Sequence, residues 1–567
     1  MSDTIENIEG IESAILEKLN DQFWRVNNLY WIQGLTPDGE LTKLKFKMNR
    51  VQEDYYWNQW WRNDILKSRQ HGMSTLIAIL MLDQALFNPE QTCGIIDKTD
   101  DDAVKKLAKQ KYAYDHLDDD DDPYLAPLGA AIKEAIQVVP PSNDHNFTFS
   151  NNSKIWAGTN LRGGTMSYLW ISELGYTAFF FPKKAAEIKS GSFNTAHRGS
   201  KIVIESTHEG GKTGLNYEMI RLAQSAPPRD QMTELDWQFH FYAWHDDPKN
   251  HLPMRPDQTL TMTQEETKYF KTLEEEHGIS LSMEQKAWYI KIQHTQKDDM
   301  RKEHPSTPEE ALNAVIKGAI YGEQISRMRR EKRIIDFSVD PSYPLWSFWD
   351  LGQSDHTSMG LFQFTGRDYS VIDTFTWKGE DYRFYLSKIE EWERKYGFIS
   401  ADFLPHDGNH KQGAMKHSWK DAFEQGGRKN VHIVPRTPDR WIGIRHLRAL
   451  LPRMWIHATN CDVVREVGYG FDSEEIPSAI TCLESYHTMP TESGARIMEM
   501  PVHDHTSHTC DMFRTFSEAH ARGMLQGNSR MERDSRRNSP KRENRVRVNK
   551  SQTMDTSPRR RRRVKTQ

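Results

Sequence analysis

The sequence predicts an α/β fold class, with two successive α/β domains, the first built on a parallel sheet covered by helices, and a basic tail behind them. Three observations predict it. Short apolar runs separated by helical stretches recur through the first half, and a basic, glycine-containing turn opens an unbroken apolar helix. After residue 335 the chain changes to aromatic-rich runs in quick succession.

Taken in order, residues 1–45 read as a helical lead-in, because Ile11, Ile15, Leu16, Leu19 and Phe23 recur at helical spacing. Residues 46–235 form the first domain. In it a helix carrying Trp57, Trp60 and Trp61 precedes the turn Lys67-Ser68-Arg69-Gln70-His71-Gly72, and the apolar stretch from Ser74 through Leu76, Ile77, Ile79 and Leu80 reads as a buried helix. Strands are expected at 92–96, 168–171 and 201–204, and the five aspartates at 118–122 read as a solvated loop. Residues 236–335 are charged and mostly helical, a lid or linker subdomain. Residues 336–526 form the second domain, with strands at 345–350, 360–364 and 369–373 in an antiparallel meander, then a helix over 382–396.

At 567 residues the chain is long enough for two or three cores. A mean hydropathy of −0.78 argues against a membrane span, and the acidic start argues against a secretory signal. Four scattered cysteines show neither a disulfide framework nor paired metal spacing, which suits a reducing cytoplasm. The net charge of −5 hides an asymmetry. Residues 527–567 carry fifteen Lys/Arg against four Asp/Glu, a net of +11 that leaves −16 on residues 1–526. Rich in Arg, Asn and Ser and ending in the arginines 559–563, the tail is expected to be disordered, either simply solvated or an arm that attracts phosphate.

The turn at 67–75 is nearly a phosphate-binding loop, G-x-x-x-x-G-K-[ST], in which backbone N–H groups cradle phosphates, a lysine reaches them and a hydroxyl holds Mg²⁺. Gly72 and Ser74 fit. Met73 stands in the lysine's slot and Lys67 where the first glycine belongs, so the charge has moved to the loop's other end. Glu173 follows the apolar strand 168–171, at the strand edge where open α/β sheets bind ligands and where a carboxylate can deprotonate water beside a γ-phosphate. The strand 201–204 delivers Glu205, Ser206 and Thr207 to the same edge, where hydroxyls can sense that phosphate. Upstream, Phe46, Asn49 and Gln52 offer a ring and two amides to an adenine.

A second constellation is acidic. Two-metal phosphodiester cleavage needs several carboxylates converging on paired cations. Asp350 ends an aromatic strand, Asp407 lies in Pro405-His406-Asp407-Gly408, and Asp511 starts an amphipathic segment running through Met512, Phe513 and Phe516. Asp350 with Gly352, Asp355 and Thr357 suggests the first strand and tight turn of an RNase H-type sheet. Asp355 and Asp504 are secondary candidates, and Asp373 a decoy or accessory. His503, His505, His508 and Cys510 allow a zinc reading, but they lack a paired second half.

The order of base-reader, phosphate loop, strand-end glutamate and hydroxyl strand, together with Arg69-Gln70-x-Gly72-x-Ser74-Thr75, Arg162-Gly163-Gly164-Thr165, His304-Pro305-Ser306-Thr307-Pro308 and Ser507-His508-x-x-Asp511-x-x-Arg514, resembles the large terminase subunit of tailed bacteriophages over residues 46–515. The resemblance implies a P-loop ASCE-type ATPase domain followed by an RNase H-like nuclease domain, using ATP and Mg²⁺, with Mn²⁺ as an alternative at the nuclease. It implies ATP binding by Phe46, Asn49, Gln52 and the stretch Lys67, Ser68, Arg69, Gln70, His71, Gly72, Met73, Ser74 and Thr75. Glu173 would be catalytic, Ser206 and Thr207 would couple hydrolysis to movement, and Asp350, Asp407 and Asp511 would be catalytic metal ligands. Ser172 departs from the family by replacing the aspartate usual before the glutamate. The implied partners are double-stranded DNA, a portal protein, a small terminase subunit and further copies of this chain in a pentameric ring, in the host cytoplasm and transiently on the procapsid. A repair or defence helicase-nuclease and a catalytically silent packaging scaffold are the alternatives.

Overall fold

The computed structural model describes residues 17–526 except 36–38, 162, 256, 314–315, 317, 353–354, 411–416, 468–473 and 491–496. Of the lead-in, Ile11, Ile15 and Leu16, like Arg162 and the tail, lie outside the described residues. The helix Gln22–Asn28 is present, capped by the Asp21 carboxylate, which accepts from the Phe23 N–H. The chain then departs from the expected helix. Strands β1 (Trp31–Leu35) and β2 (Leu41–Lys45) pair antiparallel, and Gly39 between them adopts φ +84°. A Pro-Asp-Gly run at 37–39 is a hairpin signal that outweighs helical spacing upstream of it.

The helix Arg50–Asn58 ends before Trp60 and Trp61, and strand β3 (Arg62–Lys67) stands between it and the glycine turn. That strand has no alternation to betray it, because five of its six residues are buried, including Asn63 and Asp64. The helix Met73–Phe87 follows, and burial on nearly every side explains its unbroken apolar run.

Strands β4 (Thr92–Ile96), β5 (Val138–Asn143), β6 (Asn146–Phe149), β7 (Lys154–Gly158), β8 (Met166–Ser172), β9 (Ala196–Ser206) and β10 (Trp237–Tyr242) complete the first sheet. Its order is β10-β3-β9-β8-β4-β7-β6-β5. The pairs from β10 through β7 are parallel; β6 and β5 add an antiparallel margin, so the sheet is mixed rather than purely parallel. Because β10 pairs with β3, this sheet runs past the expected boundary at 235. The aspartates at 118–122 lie beyond the helix Asp100–Asp115, and Asp118, Asp119 and Asp120 pair with Lys133, Lys43 and Lys45.

The lid gathers the helices Gln264–His277 and Met283–Gln296 around Trp244, Phe270, Leu273 and Tyr289. It ends earlier than 335, since Ile320, Tyr321, Ile325 and Met328 already belong to the next core. There, β11 (Leu345–Asp350), β12 (His356–Phe364) and β13 (Tyr369–Lys378) form the expected meander. Strands β14 (Ile399–Leu404), β15 (Val431–Ile433) and β16 (Met454–Ile456) give the order β15-β14-β11-β12-β13-β16, with β14 parallel to β11. The helix Tyr382–Tyr396 lies where its pattern places it. The helix Ser507–Ala521 packs on this sheet through Phe516, whose ring centroid lies 5.1 Å from Phe348 and 4.7 Å from Phe362.

Candidate functional site

The glycine turn leaves β3 at the C-terminal edge of the parallel strands and is held from both sides. The Ser68 N–H donates to the Tyr242 carbonyl at 2.9 Å and the Arg69 N–H to the Glu303 carbonyl at 3.0 Å, while the Arg69 guanidinium pairs with the Glu303 carboxylate. Gln70 and Gly72 take φ of 72° and 74°. The positive φ is what calls for glycine at 72, and a Cβ there would also displace the Gln52 amide, 2.8 Å away, that braces the loop. Met73 is buried in the core, which explains why an apolar residue occupies the usual lysine slot. Lys67, buried at the start of the turn, lies with Nζ 3.1 Å from the Glu205 carboxylate. Burial opposes its charge, but Glu205 and Glu173 hold its pKa above the ordinary lysine value.

Asn49 and Gln52 both reach the loop. The Asn49 side chain caps the helix Arg50–Asn58 and donates to the His71 carbonyl at 3.1 Å, and Gln52 donates to the Gly72 carbonyl at 2.8 Å while accepting from the Asn49 N–H. Phe46 is a core residue, 2 % exposed. Of the three residues expected to read an adenine, two brace the loop through their amides and the third lies in the core. His71 is also buried, with its pKa lowered first by that burial. Beside the loop lies a cavity of about 580 Å³ lined by Arg69, Gln70, Trp288, Ile292 and His304.

Glu173 follows β8 at φ 54°, and its N–H donates to the Glu205 carbonyl at 2.8 Å. Burial raises its carboxyl pKa, partly offset by Lys67 and Arg69. Ser206 accepts from the Gly175 N–H at 2.9 Å. A Cβ on Gly175 would lie 2.3 Å from the Thr207 carbonyl oxygen, so the first turn after Glu173 is seated directly on Ser206 and Thr207. Lys109 approaches the Thr75 hydroxyl at 3.4 Å, and Lys106 pairs with Asp97 at the end of β4. Sequence reasoning missed Lys106, Lys109 and the hub role of Glu205. The two lysines lie one helical turn apart, and Glu205 directly precedes the hydroxyl pair; these were the available signals.

In the second domain Asp350 ends β11, and Asp407 lies in the turn just after the parallel neighbour β14, so both occupy one sheet edge. The helix bearing Asp511 packs on β11 and β12, and its charge contributes to raising Asp350. Burial first, with Asp511 added and His508 opposing, pushes the Asp350 carboxyl up to about 6. Asp407 Oδ1 is buried with no hydrogen-bond partner among the described residues. Asp511 accepts from Arg514 at 3.0 Å. A buried oxygen without a donor among the described residues, at the sheet edge that Asp350 shares, suits a hard divalent cation.

Asp355 joins this edge. His508 lies 3.2 Å from Asp350 and 3.1 Å from Asp355, and one ligand atom from each of Asp355, His356 and His508 falls within 4.8 Å of the others. Asp504 is tied up by the Thr506 N–H at 2.9 Å, and Asp373 by the Tyr396 hydroxyl at 2.6 Å. Cys510 is buried and its thiol lies against the Cys482 carbonyl, so it does not complete a zinc set with His503, His505 and His508.

No family model matches the chain, and no curated protein does. Among solved structures, the large terminase of bacteriophage HK97 is 12 % identical over 89 % of this chain and 99 % of its own, with a TM-score of 0.40. That of the thermophilic bacteriophage D6E is 13 % identical over 83 % and 99 %, with a TM-score of 0.26. The nuclease domain of the P22 large terminase is 15 % identical over 34 % and 89 %, with a TM-score of 0.24.

Proposed function

We propose that the chain is a viral DNA-packaging motor, an ATP-driven translocase of double-stranded DNA joined to a metal-dependent endonuclease. One observation carries this reading. A single chain presents a lysine, a hydroxyl and a glutamate around a glycine turn at one sheet edge, and three aspartates at the edge of a second sheet. In the first site Lys67 and Arg69 would neutralise the phosphates and the loop N–H groups would orient them. Glu173, its pKa raised by burial, would take the proton of the attacking water. Trp288 and Ile292 line the cavity beside the loop and offer the apolar wall that Phe46 does not. Ser206 and Thr207, in contact with the turn that follows Glu173, would relay the hydrolysis state. Bound Mg²⁺ or Mn²⁺ would activate water and stabilise the leaving oxygen in the second site. Asp350, Asp407 and Asp511 would hold those cations, and Arg514 would orient Asp511. DNA, portal, small subunit and sister copies in a ring are the partners this reading requires.

The test pairs phosphate release with cleavage of supercoiled plasmid in Mg²⁺ or Mn²⁺, with and without added DNA. Wild type should hydrolyse ATP faster with DNA and nick the plasmid. Asp350→Asn, Asp407→Asn and Asp511→Asn should each abolish cutting and leave ATPase activity within about twofold, and the losses should not add, because a two-metal site fails as a unit. Normal cutting by all three variants would overturn the nuclease, and a wild type without ATPase activity would overturn the motor.

A further inference from the structure

Phosphate-loop NTPases hold Mg²⁺ between the loop's Ser/Thr hydroxyl and an aspartate at the end of another strand of the sheet; in the family this chain resembles, that aspartate directly precedes the catalytic glutamate. In this chain that position is Ser172, which cannot supply the charge. The strand beside it can. Ser172 on β8 lies in register with Glu205 on β9, and β9 is also the neighbour of β3, from which the loop springs. The Ser74 hydroxyl donates to Glu205 Oε1 at 2.5 Å and the Ser172 hydroxyl to the same oxygen at 3.2 Å, while Lys67 sits on Oε2 at 3.1 Å. Glu205 is fully buried, and Lys67 first, with Lys106 and the Ser74 hydroxyl, favours its charged form there.

The other acidic groups at this edge are otherwise engaged. Asp97, ending β4 on the far side of β8, is held by Lys106 and accepts from the Lys98 N–H at 2.7 Å. Glu173 makes no side-chain hydrogen bond among the described residues, as a group that must reach water requires. We infer that Glu205 is the displaced magnesium-site carboxylate, a positioning residue on β9 that orients the Ser74 hydroxyl toward the Mg²⁺ of bound nucleotide in place of the residue at 172. The hydroxyl oxygen of Ser74 is the ligand a hard divalent cation takes, and Glu205 acts on it from the outer sphere by accepting its proton. Ser172, smaller than an aspartate, leaves the longer glutamate room to reach across the strand and steadies it with a hydrogen bond.

The assignment rests on the ATPase reading above, and equilibrium binding of a fluorescent ATP analogue, in EDTA and in Mg²⁺, tests the two separately. Wild type should bind more tightly with Mg²⁺. Glu205→Gln should lose about 10–100-fold of the ratio between its affinities in Mg²⁺ and in EDTA, as loss of an outer-sphere partner does. Ser172→Asp combined with Glu205→Gln should restore it by returning a carboxylate to the neighbouring strand, a rescue that mere neutralisation of Lys67 would not produce. Should the amide variant fail to fold, Glu205→Asp, which keeps the charge but draws it back from Ser74, should show the same loss. An undiminished Mg²⁺ advantage in Glu205→Gln or Glu205→Asp overturns the assignment while leaving the ATPase reading intact; no binding by wild type overturns both.

Discussion

Glu173 combines three properties that a general base needs: a position at the strand edge, a pKa raised by burial, and a carboxylate free of side-chain hydrogen bonds among the described residues. Glu173→Gln should therefore bind ATP within about threefold of wild type while hydrolysing it about 10²–10⁴-fold more slowly, because an amide keeps the shape and cannot accept the proton. Wild-type turnover would remove Glu173 from the chemistry. Asp64 is a different case: it is 2 % exposed in β3, and burial alone pushes its carboxyl up to about 8. In the unfolded chain the same group titrates near 4. The folded state thus binds the extra proton between those values, so the stability this group contributes is full below about pH 4 and is lost as pH rises toward 8. Asp64→Asn has no such slope, and relative to wild type it should gain on the order of 5 kcal/mol across that window. Melting temperatures of both proteins at pH 5 and pH 8 measure it, and a gap that does not widen with pH would show Asp64 ionised in the fold.

At the scale of elements, the lead-in helix docks on the loop-bearing helix through one buried carboxylate. Asp83, fully buried in Met73–Phe87, accepts from Arg25 at 2.9 and 2.7 Å, from the Tyr30 hydroxyl at 2.8 Å and from the Gln22 amide at 3.0 Å. Asp83→Ala strands the guanidinium and should cost about 3–5 kcal/mol, whereas Arg25→Met with Asp83→Leu should recover most of it. Denaturant midpoints of the three proteins decide, and equal losses in the single and the double would deny the pair its role. Neither Arg25 nor Asp83 stood out in sequence, since partners 58 residues apart leave no local pattern. The same limit explains what was legible elsewhere. The helix Tyr382–Tyr396 and the strands Thr92–Ile96 and Leu345–Asp350 were readable because their burial follows from their own pattern. β3 was hidden because burial on both faces erases alternation, and β1 and β2 because a turn signal competed with helical spacing. In the sites, residues bearing charge were visible one at a time. That Asn49 and Gln52 spend their amides on the loop, and that Glu205 gathers Lys67, Ser74 and Ser172, are facts of convergence that spacing does not encode.

The two sites belong to one continuous body. A Cβ on Gly211, just after Thr207, would lie 3.0 Å from Ile316 at the end of the lid, and Phe179, on the helix that starts after Glu173, stacks on His487 of the second domain with centroids 4.4 Å apart. Charge is divided just as unevenly as function. Residues 1–526 carry a net of −16, an unfavourable surface for a polyanion, while residues 527–567 carry +11. A motor that grips phosphates must overcome that repulsion, and the tail is the part of the sequence with the charge to do so. Deleting residues 527–567 should therefore weaken nonspecific double-stranded DNA binding at low salt and flatten its salt dependence, each lost phosphate contact removing about 0.9 from the slope of log K against log salt. Basal ATPase activity should stay within about twofold, since Lys67, Ser74, Glu173 and Glu205 all lie outside the deletion; its stimulation by DNA should fall with the binding. Fluorescence anisotropy of a labelled duplex titrated between 50 and 300 mM salt, on full-length and shortened chains, gives both slopes. Identical slopes would mean that the arginines do not meet DNA phosphate and that the tail serves a protein partner instead.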